Sequence, residues 1–321
     1  MKNVKMNAVV YTEYGKAEVL KLKSIDKPTP KPNEVLIKMK ATTVNSGDIV
    51  LRKADPFAVR LFFGLLKPKV NVLGSTFSGQ IETIGAEVTQ FKVGDEVFGS
   101  TDMKFGSYAE YLCMPETGAI ATKPVNMTHN EAAAIPFGGV TALYFLKKAN
   151  VKKGQFILIN GASGAVGSAA VQLAKYYGAH VTAVCGTSGM NMVRALGADE
   201  AIDYTREDLT KNTMKYDVVY DTVNKMPVSL GVYLLKKKGT LILGAAGTSE
   251  MMKSMFYSIG GTKILKGLIK KTGANVDFLK DVIEEDKMKA VIDSTYRLEQ
   301  IVDAHKHVEK GQKQGNVVVT M

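Results

Sequence analysis

The chain has 321 residues, and its hydrophobic share of 45% is that of a globular protein large enough for two domains and a substantial core. No apolar run approaches the roughly 20 residues that cross a bilayer, and the first residues lack the apolar stretch of a signal peptide. Cys113 and Cys185 are isolated cysteines without metal-ligand spacing, which indicates a reducing compartment and free thiols. We therefore expect a cytoplasmic protein.

The net charge of +11 raises the question of a nucleic-acid partner. The lysines are scattered, however, and the one unbroken triplet, Lys236–Lys238, precedes an apolar strand pattern. No interleaved aromatic side chains suggest a platform for stacking bases. Solvated faces and attraction for a phosphate-bearing cofactor explain the charge better. Nucleic acid is therefore not an expected partner.

Residues 1–123 contain short strand patterns punctuated by Pro and Gly, such as 33–45, 78–85 and 93–99. Strands at such short intervals predict a compact, barrel-like β domain. An apolar amphipathic segment, ADPFAVRLFFGLLKPK, interrupts this pattern at 54–69. It is either a helix packed on its own domain or the wall of an apolar substrate pocket, lined by Phe57, Leu61 and Phe62.

From residue 124 to 271, strand and helix patterns alternate. A helix is predicted at 129–149 and another at 228–239. Strands are predicted at 156–160, 180–185, 200–204, 215–223 and 240–247, with an edge strand at 262–271. This alternation predicts a doubly wound parallel sheet, whose ligand crevice lies at the carboxyl ends of the strands. Residues 272–321 carry two helices and a final strand, a segment too small for its own core, which should fold back onto the first domain.

The most informative stretch is FILINGASGAVG, at 156–167. A buried strand ends in three glycines at a spacing of three, Gly161, Gly164 and Gly167, and a helix follows. Missing side chains let backbone approach a pyrophosphate, and free N–H groups at the helix N-terminus face its charge. Ser163, Ala165 and Val166 belong to the same turn. The flanking strand and helix favour a dinucleotide site over a plain tight loop.

Linked motifs extend this interpretation to the whole chain. They are VNSGD (44–48), LGSTFSGQIETIG (73–85), FKVGDEVFG (91–99), GGVTAL (138–143), NGASGAVG (160–167), LGADEAIDY (196–204) and GNVVV (315–319). Together they resemble the medium-chain dehydrogenase/reductase superfamily, in its zinc-independent quinone oxidoreductase branch. The resemblance implies an α/β protein, with a GroES-like partly open β-barrel catalytic domain at 1–123, a doubly wound Rossmann domain at 124–271 and a return segment at 272–321. It also implies a homodimer.

The resemblance further implies the absence of a metal. Zinc enzymes of the superfamily have a Cys at the position of Asn45, Gly-His-Glu at Gly74-Ser75-Thr76, and another Cys near Phe137, so no catalytic zinc site is expected here. Without a Lewis acid, a conjugated acceptor is favoured, because its π-system delocalises the incoming electron pair. His305 and His307, two apart on a helix, are expected at the surface.

The cofactor preference is expected from the second strand of the Rossmann domain. NAD-binding domains have an acidic residue about 20 positions beyond the glycines, and Gly186 matches that position. Because no carboxylate there repels a 2′-phosphate, and Thr187 and Ser188 follow as hydroxyl donors, NADPH is the expected cofactor. A glycine turn without preference remains the alternative, since no basic residue lies in that loop. Tyr204, and Arg194 if its helix faces that way, could add phosphate contacts.

Other site residues follow from matching motifs. Asn45 is expected beside the nicotinamide as the catalytic position, although it could be a turn residue. Thr141 is expected near the nicotinamide end, although it could serve only the helix. Three residues, Ala245, Ala246 and Gly247, would hold the carboxamide, and Asn316 could add a terminal contact. Asp48 could equally cap a helix.

These residues predict hydride transfer from NADPH to a quinone or an enone. No His or acid stands in a pocket motif, so the balancing proton is expected from solvent or a nearby Tyr. One alternative is an enoyl-thioester reductase, which would share the cofactor site. The other is a cofactor-binding regulator or RNA-binding relative without strong turnover.

Overall fold

The computed structural model describes residues 4–244, 255, 257, 262–267, 269 and 271–321. Within these ranges the strands are Lys5–Val10 (β1), Lys21–Asp26 (β2), Glu34–Val44 (β3), Thr76–Ile84 (β4), Glu96–Ser100 (β5), Tyr111–Pro115 (β6), Ala119–Thr122 (β7), Phe156–Asn160 (β8), His180–Cys185 (β9), Glu200–Asp203 (β10), Tyr216–Asp221 (β11), Leu235–Leu243 (β12), Lys263–Lys266 (β13), Ile292–Arg297 (β14) and Asn316–Thr320 (β15). The α-helices are Ser46–Lys53 (α1), Val59–Phe63 (α2), His129–Ala149 (α3), Ala165–Tyr176 (α4), Met190–Ala195 (α5), Val228–Tyr233 (α6), Gly273–Glu284 (α7) and Ile301–Glu309 (α8).

The chain divides into two compact units. The first unit comprises residues 1–137 and 270–321, and the second comprises residues 138–269. The division falls within α3, after Phe137, whereas the sequence pattern placed a boundary before this helix, at residue 123. α3 spans 129–149 as predicted from its pattern. None of the described helices is both long enough and apolar enough to cross a membrane.

The first unit is built on a seven-stranded sheet around β3. The strand order is β14-β15-β3-β4-β5-β7, and β6 also pairs with β3. β3 is long enough to pair with β6 through residues 34–38 and with β15 through residues 41–44. Residues 316–320 thereby complete a sheet begun near the other end of the chain. This mixed sheet agrees with the GroES-like fold that the sequence predicts.

The amphipathic segment of the first unit is only partly helical. α2 ends at Gly64, which has a φ of +119°, a conformation that favours glycine. Val59 and Phe63 pack against the core of this unit, with the Phe63 ring 6.1 Å from that of Phe105. The segment therefore packs on its own unit through one face.

The second unit contains a six-stranded parallel sheet in the order β10-β9-β8-β11-β12-β13. The strand order reverses between β8 and β11, and a ligand crevice forms at such a switch point, beyond the carboxyl ends of the strands. β13 lies at the sheet edge, as predicted. The alternation of strands and helices predicts this doubly wound parallel sheet. Its strands are continuously apolar because helices cover such a sheet on both faces.

One predicted helix of the second unit is too long. The pattern of 228–239 indicated a helix throughout, but α6 ends at Tyr233 and β12 begins at Leu235. Leu235 pairs with Tyr216 of β11, and a register shift follows. Pairing with the neighbouring strand therefore outweighs the local helical pattern, and Lys236–Lys238 extend along the sheet with exposed side chains.

Candidate functional site

The three glycines of the 156–167 turn differ in what a side chain would meet. At Gly161, where φ is +78°, a Cβ would lie 2.5 Å from Val223 Cγ1. At Gly167 it would lie 2.1 Å from the Gly161 carbonyl oxygen. At Gly164 its nearest neighbour would be the same oxygen at 3.5 Å, an ordinary contact. The fold therefore requires two of the glycines to lack a side chain, whereas Gly164 leaves open space.

Gly164 is the N-cap of α4 and supplies no capping side chain. The first N–H groups of a helix have no partner within it, so those of Ala165, Val166 and Gly167 remain available to a ligand. Ser163 stands in the turn before them, half-buried. An open backbone surface at a helix N-terminus fits a pyrophosphate, and the residues present therefore suit the expected dinucleotide.

A second group of predicted residues meets at the carboxyl ends of β9 and β10. Gly186 follows β9, and a Cβ on it would lie 3.4 Å from the Tyr204 hydroxyl oxygen. Thr187 and Ser188 form an exposed turn after Gly186. Arg194 lies on α5 and is exposed. The structure thus brings Gly186, Thr187, Ser188 and Tyr204 together, as their predicted roles require.

The hydroxyl of Thr187 has a different role from the one expected. It donates to Asp203 Oδ2 at 2.5 Å, and the Thr205 hydroxyl donates to Asp203 Oδ1 at 2.7 Å. These hydrogen bonds, first that of Thr187 and then that of Thr205, hold the pKa of the buried Asp203 below its usual value. In this arrangement the Thr187 hydroxyl donates its proton to Asp203, a carboxylate that the sequence did not single out, so the expected donation to a 2′-phosphate stays a prediction that would require this bond to break.

Polar residues also link the ends of β8 and β11, at the switch point. Asn160 Nδ2 donates to Asp221 Oδ1 at 3.0 Å, and the Thr222 hydroxyl donates to the Asn160 carbonyl at 2.8 Å. All three residues are buried. The sequence analysis did not single them out, although a polar residue at the end of each strand is a usable signal.

Thr141 lies on α3, in the second unit, and is buried. Three residues earlier on the same helix, a Cβ on Gly138 would lie 2.1 Å from the Ala165 carbonyl oxygen. Residues three apart share a helix face, so Thr141 lies on the face of α3 that approaches the start of α4. The remaining predicted residues of this unit, Ala245, Ala246 and Gly247, lie outside the described residues.

In the first unit, Asn45 belongs to a polar cluster. Asn45 is buried at the N-cap of α1, and its Nδ2 donates to Thr43 Oγ1 at 3.0 Å. Thr43 Oγ1 lies 2.7 Å from Thr76 Oγ1, and Thr76 pairs with Ser100 across β4 and β5. We call Thr43, Asn45, Thr76, Ser100 and Lys271 the polar cluster, because Lys271 Nζ donates to Ser100 Oγ at 3.1 Å. Sequence analysis did not find Lys271, whose place in a lysine-rich stretch gave no signal.

Asp48 stabilises the backbone around Asn45. Its carboxylate accepts hydrogen bonds from the Asn45 N–H at 2.8 Å and the Gly74 N–H at 3.0 Å. Burial raises the pKa of Asp48 to about 6, and the hydrogen bonds oppose this shift. The capping role that the sequence left open is thus present.

His305 is not at the surface, contrary to expectation. It is fully buried, with Nε2 3.3 Å from the Tyr108 hydroxyl oxygen. Burial lowers its pKa to about 3, and the positive charge of the buried Arg52 adds to the shift. The ring lies in the core because α8 packs against the unit through this face. His307, on a different face, is half-buried, and its Nε2 lies 2.6 Å from Asp293 Oδ2.

Asn316 is buried in β15 of the first unit. Its Nδ2 donates to the Val291 carbonyl at 3.1 Å, so the amide already serves the local backbone. Phe57, Leu61 and Phe62 are 63%, 67% and 77% exposed. They therefore form no closed pocket within the first unit, although their exposed rings and methyl groups suit an apolar surface facing a ligand.

The relatives of this chain decide its family. The alcohol dehydrogenase GroES-like domain matches residues 31–124, and the zinc-binding dehydrogenase family matches residues 196–319. A 2-methylene-furan-3-one reductase of Solanum lycopersicum is 35% identical, over 98% of this chain and 79% of that protein. A chloroplast envelope quinone oxidoreductase homolog of Arabidopsis thaliana is 33% identical, over 98% of both chains.

The chain belongs to the medium-chain dehydrogenase/reductase superfamily, in its quinone oxidoreductase branch. It is an oxidoreductase. A third relative, also 33% identical, is the chloroplastic NADPH-dependent alkenal/one oxidoreductase of Arabidopsis thaliana, with coverage of 98% of this chain and 79% of that protein.

Solved structures of this superfamily share the fold over the whole chain. The quinone oxidoreductase of Coxiella burnetii has a TM-score of 0.90 at 28% identity, over 99% of this chain and 100% of that one. An NAD-dependent alcohol dehydrogenase has a TM-score of 0.85 at 28% identity, over 98% and 100%. A mycobacterial protein complexed with NADPH has a TM-score of 0.82 at 26% identity, over 98% and 100%.

This superfamily member differs from its zinc enzymes at the ligand positions. Asn45, Ser75, Thr76 and Phe137 stand there, and none has a side chain that zinc favours. Across the part of the chain that the structure describes, no group of three His, Cys, Asp or Glu residues could hold a metal ion.

Proposed function

We propose that this oxidoreductase reduces a conjugated carbonyl acceptor, a quinone or an enone, with NADPH and without zinc. The observation that carries the proposal is the open backbone surface at Gly164, because the fold alone does not need a glycine there. When bound, the nicotinamide supplies the hydride. The chain's residues bind and orient the two reactants and exclude water from them.

The binding of the cofactor is assigned to the second unit. The N–H groups at the start of α4 bind the pyrophosphate, and the crevice between β8 and β11 takes the neighbouring part of the cofactor. Thr141 and residues 245–247 are proposed for the nicotinamide end. Asn316, whose Nδ2 donates one hydrogen bond to the Val291 carbonyl, is proposed to contribute through its Oδ1, which has no hydrogen-bond partner among the described residues.

The preference for NADPH rests on Gly186. No carboxylate at this position reaches the ribose hydroxyls, and Ser188 and Tyr204 stand beside it with exposed side chains. Asp203 opposes the preference through its negative charge, and its carboxylate accepts hydrogen bonds from the Thr187 and Thr205 hydroxyls. Two relatives are named for NADPH and one for NAD, so the preference needs direct measurement.

The acceptor is assigned to the first unit. Asn45 is proposed as the catalytic position, with an amide held by Thr43. Phe57, Leu61 and Phe62 are proposed as apolar contacts for the acceptor. Hydrophobic contacts that many acceptors could satisfy agree with relatives named for quinones, alkenals and a furanone. Hydride transfer to a conjugated acceptor needs no metal, because the π-system of the acceptor delocalises the incoming electron pair.

A turnover screen tests the proposal. NADPH and NADH should each be offered with small quinones, enones and crotonyl thioesters, before and after prolonged chelation. We expect NADPH-dependent reduction of quinones or enones that chelation does not change. Preference for the thioester would identify an enoyl-thioester reductase instead. Cofactor binding without turnover of any acceptor would favour a regulator, and loss of activity with removal of a stoichiometric zinc would contradict the site.

We also propose an oligomeric state and a compartment for this chain. A homodimer is inferred from the resemblance to the superfamily and can be checked by light scattering. A reducing compartment, such as the cytoplasm, is inferred from Cys113 and Cys185, which are both free. Because relatives named above come from the chloroplast, fluorescence localisation of the tagged chain is the appropriate test.

A further inference from the structure

Lys271 carries the amine of the polar cluster, and the proposed function gives this residue no role. It stands just before α7, and its side chain is half-buried. Its Nζ donates to Ser100 Oγ at 3.1 Å and lies 5.5 Å from the centre of the Phe137 ring. A cation at this distance from an aromatic face is attracted to it. The ammonium is therefore held between one hydroxyl and one ring.

Ser100 fixes the direction of the ammonium. Its hydroxyl donates to the Ser75 carbonyl at 2.7 Å and accepts from the Asp102 N–H at 3.1 Å, so the remaining lone pair accepts from Lys271. An ammonium has three N–H donors. Among the residues that the structure describes, Ser100 is the only hydrogen-bond acceptor for Lys271, so two of its three donors have no acceptor within that part of the chain.

Within the described ranges, the charge of Lys271 also has no carboxylate as a direct ion-pair partner. Asp48 and Asp102 act on it electrostatically, but no carboxylate in the described part of the chain lies within ion-pair distance of its Nζ. A partly buried charge without an ion pair is costly, and a ligand oxygen with negative charge would offset that cost. Ser75 and Phe137 stand at positions that hold zinc ligands in zinc enzymes, and neither side chain favours zinc. Lys271 supplies a positive charge next to them.

We propose that Lys271 is a catalytic residue of the reduction: its ammonium binds the carbonyl oxygen of the conjugated acceptor and donates the balancing proton to it. This inference rests on the proposed function. Lys271 would be the proton source that the sequence motifs did not indicate. The group that it binds would be the carbonyl oxygen of the acceptor, on which negative charge develops as the hydride is transferred.

The electrons and protons balance as follows for an enone. The hydride that bound NADPH would supply leaves C4 of the nicotinamide, which gives NADP+, and forms a new C–H bond at the β-carbon. The C=C π bond breaks, and the electron pair moves onto the carbonyl oxygen. Lys271 transfers one proton to that oxygen, which leaves an enol and a neutral amine. Solvent returns a proton to the amine, and the enol becomes the saturated ketone in water. The net reaction consumes one NADPH and one proton.

The environment of Lys271 suits proton transfer. Burial lowers the pKa of its ammonium, against the opposing effects of Asp102 and then Asp48. An amine with a lowered pKa is a better proton donor near neutral pH than an ordinary lysine. The rate should therefore fall at alkaline pH, and the midpoint of this fall should lie below the pKa of about 10.4 that is usual for lysine.

Three variants test the proposal by kinetics. K271M should lower kcat/KM for an enone by about 100-fold, the scale of general acid catalysis, and should remove the alkaline fall in rate. K271R should lower kcat while retaining KM more closely, because a guanidinium binds oxygen but does not release its proton. The matched control is K280M, which removes a lysine on α7 that pairs with Glu284; its kcat/KM should stay within about twofold of the wild type.

Binding measurements separate this proposal from the proposed function. NADPH titration by fluorescence should give the same Kd for wild type and K271M. The probe 4-nitrophenol should bind to the wild type as its yellow anion at a lower pH than in water, and this shift should be absent in K271M. If the wild type reduces enones but K271M keeps its rate and pH profile, the role of Lys271 is overturned. If the wild type reduces no acceptor, the proposed function fails, and an unshifted 4-nitrophenol in the wild type would also overturn the anion site.

Discussion

The glycine turn of the second unit offers backbone N–H groups to the proposed cofactor, whereas the polar cluster of the first unit offers side chains to the proposed acceptor. The turn is made by twelve consecutive residues, in which N–H groups become available because Gly164 has no side chain. The cluster joins Thr43, Asn45, Thr76, Ser100 and Lys271, and the last two are 171 positions apart. A backbone site tolerates sequence change except where a side chain would fill it. A side-chain site depends on each residue in it.

The largest expected effects come from the glycines of the turn. Gly167→Ala should destabilise the fold strongly, because its Cβ would lie 2.1 Å from a backbone oxygen, and overpacking costs about 1–3 kcal/mol even where neighbours can move. Gly164→Val should instead keep the fold and abolish NADPH binding, since the branch would occupy the place of the pyrophosphate. Circular dichroism and fluorescence titration measure the two properties. Unchanged affinity in Gly164→Val would mean that the turn is only a structural loop.

Gly186→Asp tests whether the second strand reads the 2′-phosphate. The new carboxylate should shift the ratio of the NADPH and NADH dissociation constants toward NADH by about 10- to 100-fold, through like-charge repulsion. Gly186→Asn is the matched control, because it has the same size beside Tyr204 without the charge. Equal dissociation constants for both cofactors in the wild type would contradict the preference.

Asn45→Ala tests the side-chain site at a point away from proton transfer. We expect the rate to fall by about tenfold through misplacement of the acceptor or ribose, less than for K271M, with the pH profile keeping its shape. Turnover of an enone between pH 6 and pH 10 measures both. A complete loss of activity, or loss of the alkaline limb, would show that Asn45 takes part in the proton transfer.

The smallest expected effect concerns stability in acid. The pKa of His305 is about 3 in the native state, below its usual value of about 6.5, so the unfolded chain binds one more proton between these values. This contribution to stability is complete above pH 6.5 and is lost as the pH falls toward 3. The free energy of unfolding of the wild type, relative to His305→Gln, should fall by about 1 kcal/mol between pH 7 and pH 5.5.

Denaturant titrations at the two pH values measure this difference. Asp48, whose pKa is raised to about 6, binds a proton in the native state over the same interval and gives the opposite slope. Comparison of wild type with His305→Gln therefore isolates the histidine. A difference that stays constant with pH would contradict the burial of a neutral ring.

The two sites also differ in how far the sequence predicts them. The turn could be predicted because a strand, three glycines and a helix are contiguous, and local geometry determines which N–H groups are available. The resemblance also indicated Asn45, whose role stays a prediction. Lys271 could not be found, because a lysine that meets Ser100 looks like its exposed neighbours until β5 and α7 are brought together. His305 was misplaced for the same reason: its contact, Tyr108, is 197 positions away.

The role of Thr187 was missed for a different reason. Its distance along the chain from Asp203 is only 16 residues, but the strands β9 and β10 must first pair in register before the two side chains meet. A count of positions beyond the glycines predicts the absence of an acid at Gly186. It does not show that β10 places Asp203 within hydrogen-bond distance of the Thr187 hydroxyl.

The central claim is that hydride passes directly from the cofactor to carbon of a conjugated acceptor. Turnover of an enone with NADPH deuterated at C4, on each face in turn, tests this most directly, because a quinone reduced at oxygen would lose the label to water. We predict that one of the two labelled cofactors gives a product with one deuterium at the β-carbon. Reduced enone without deuterium from either cofactor, under conditions where the new C–H bond does not exchange, would contradict direct transfer.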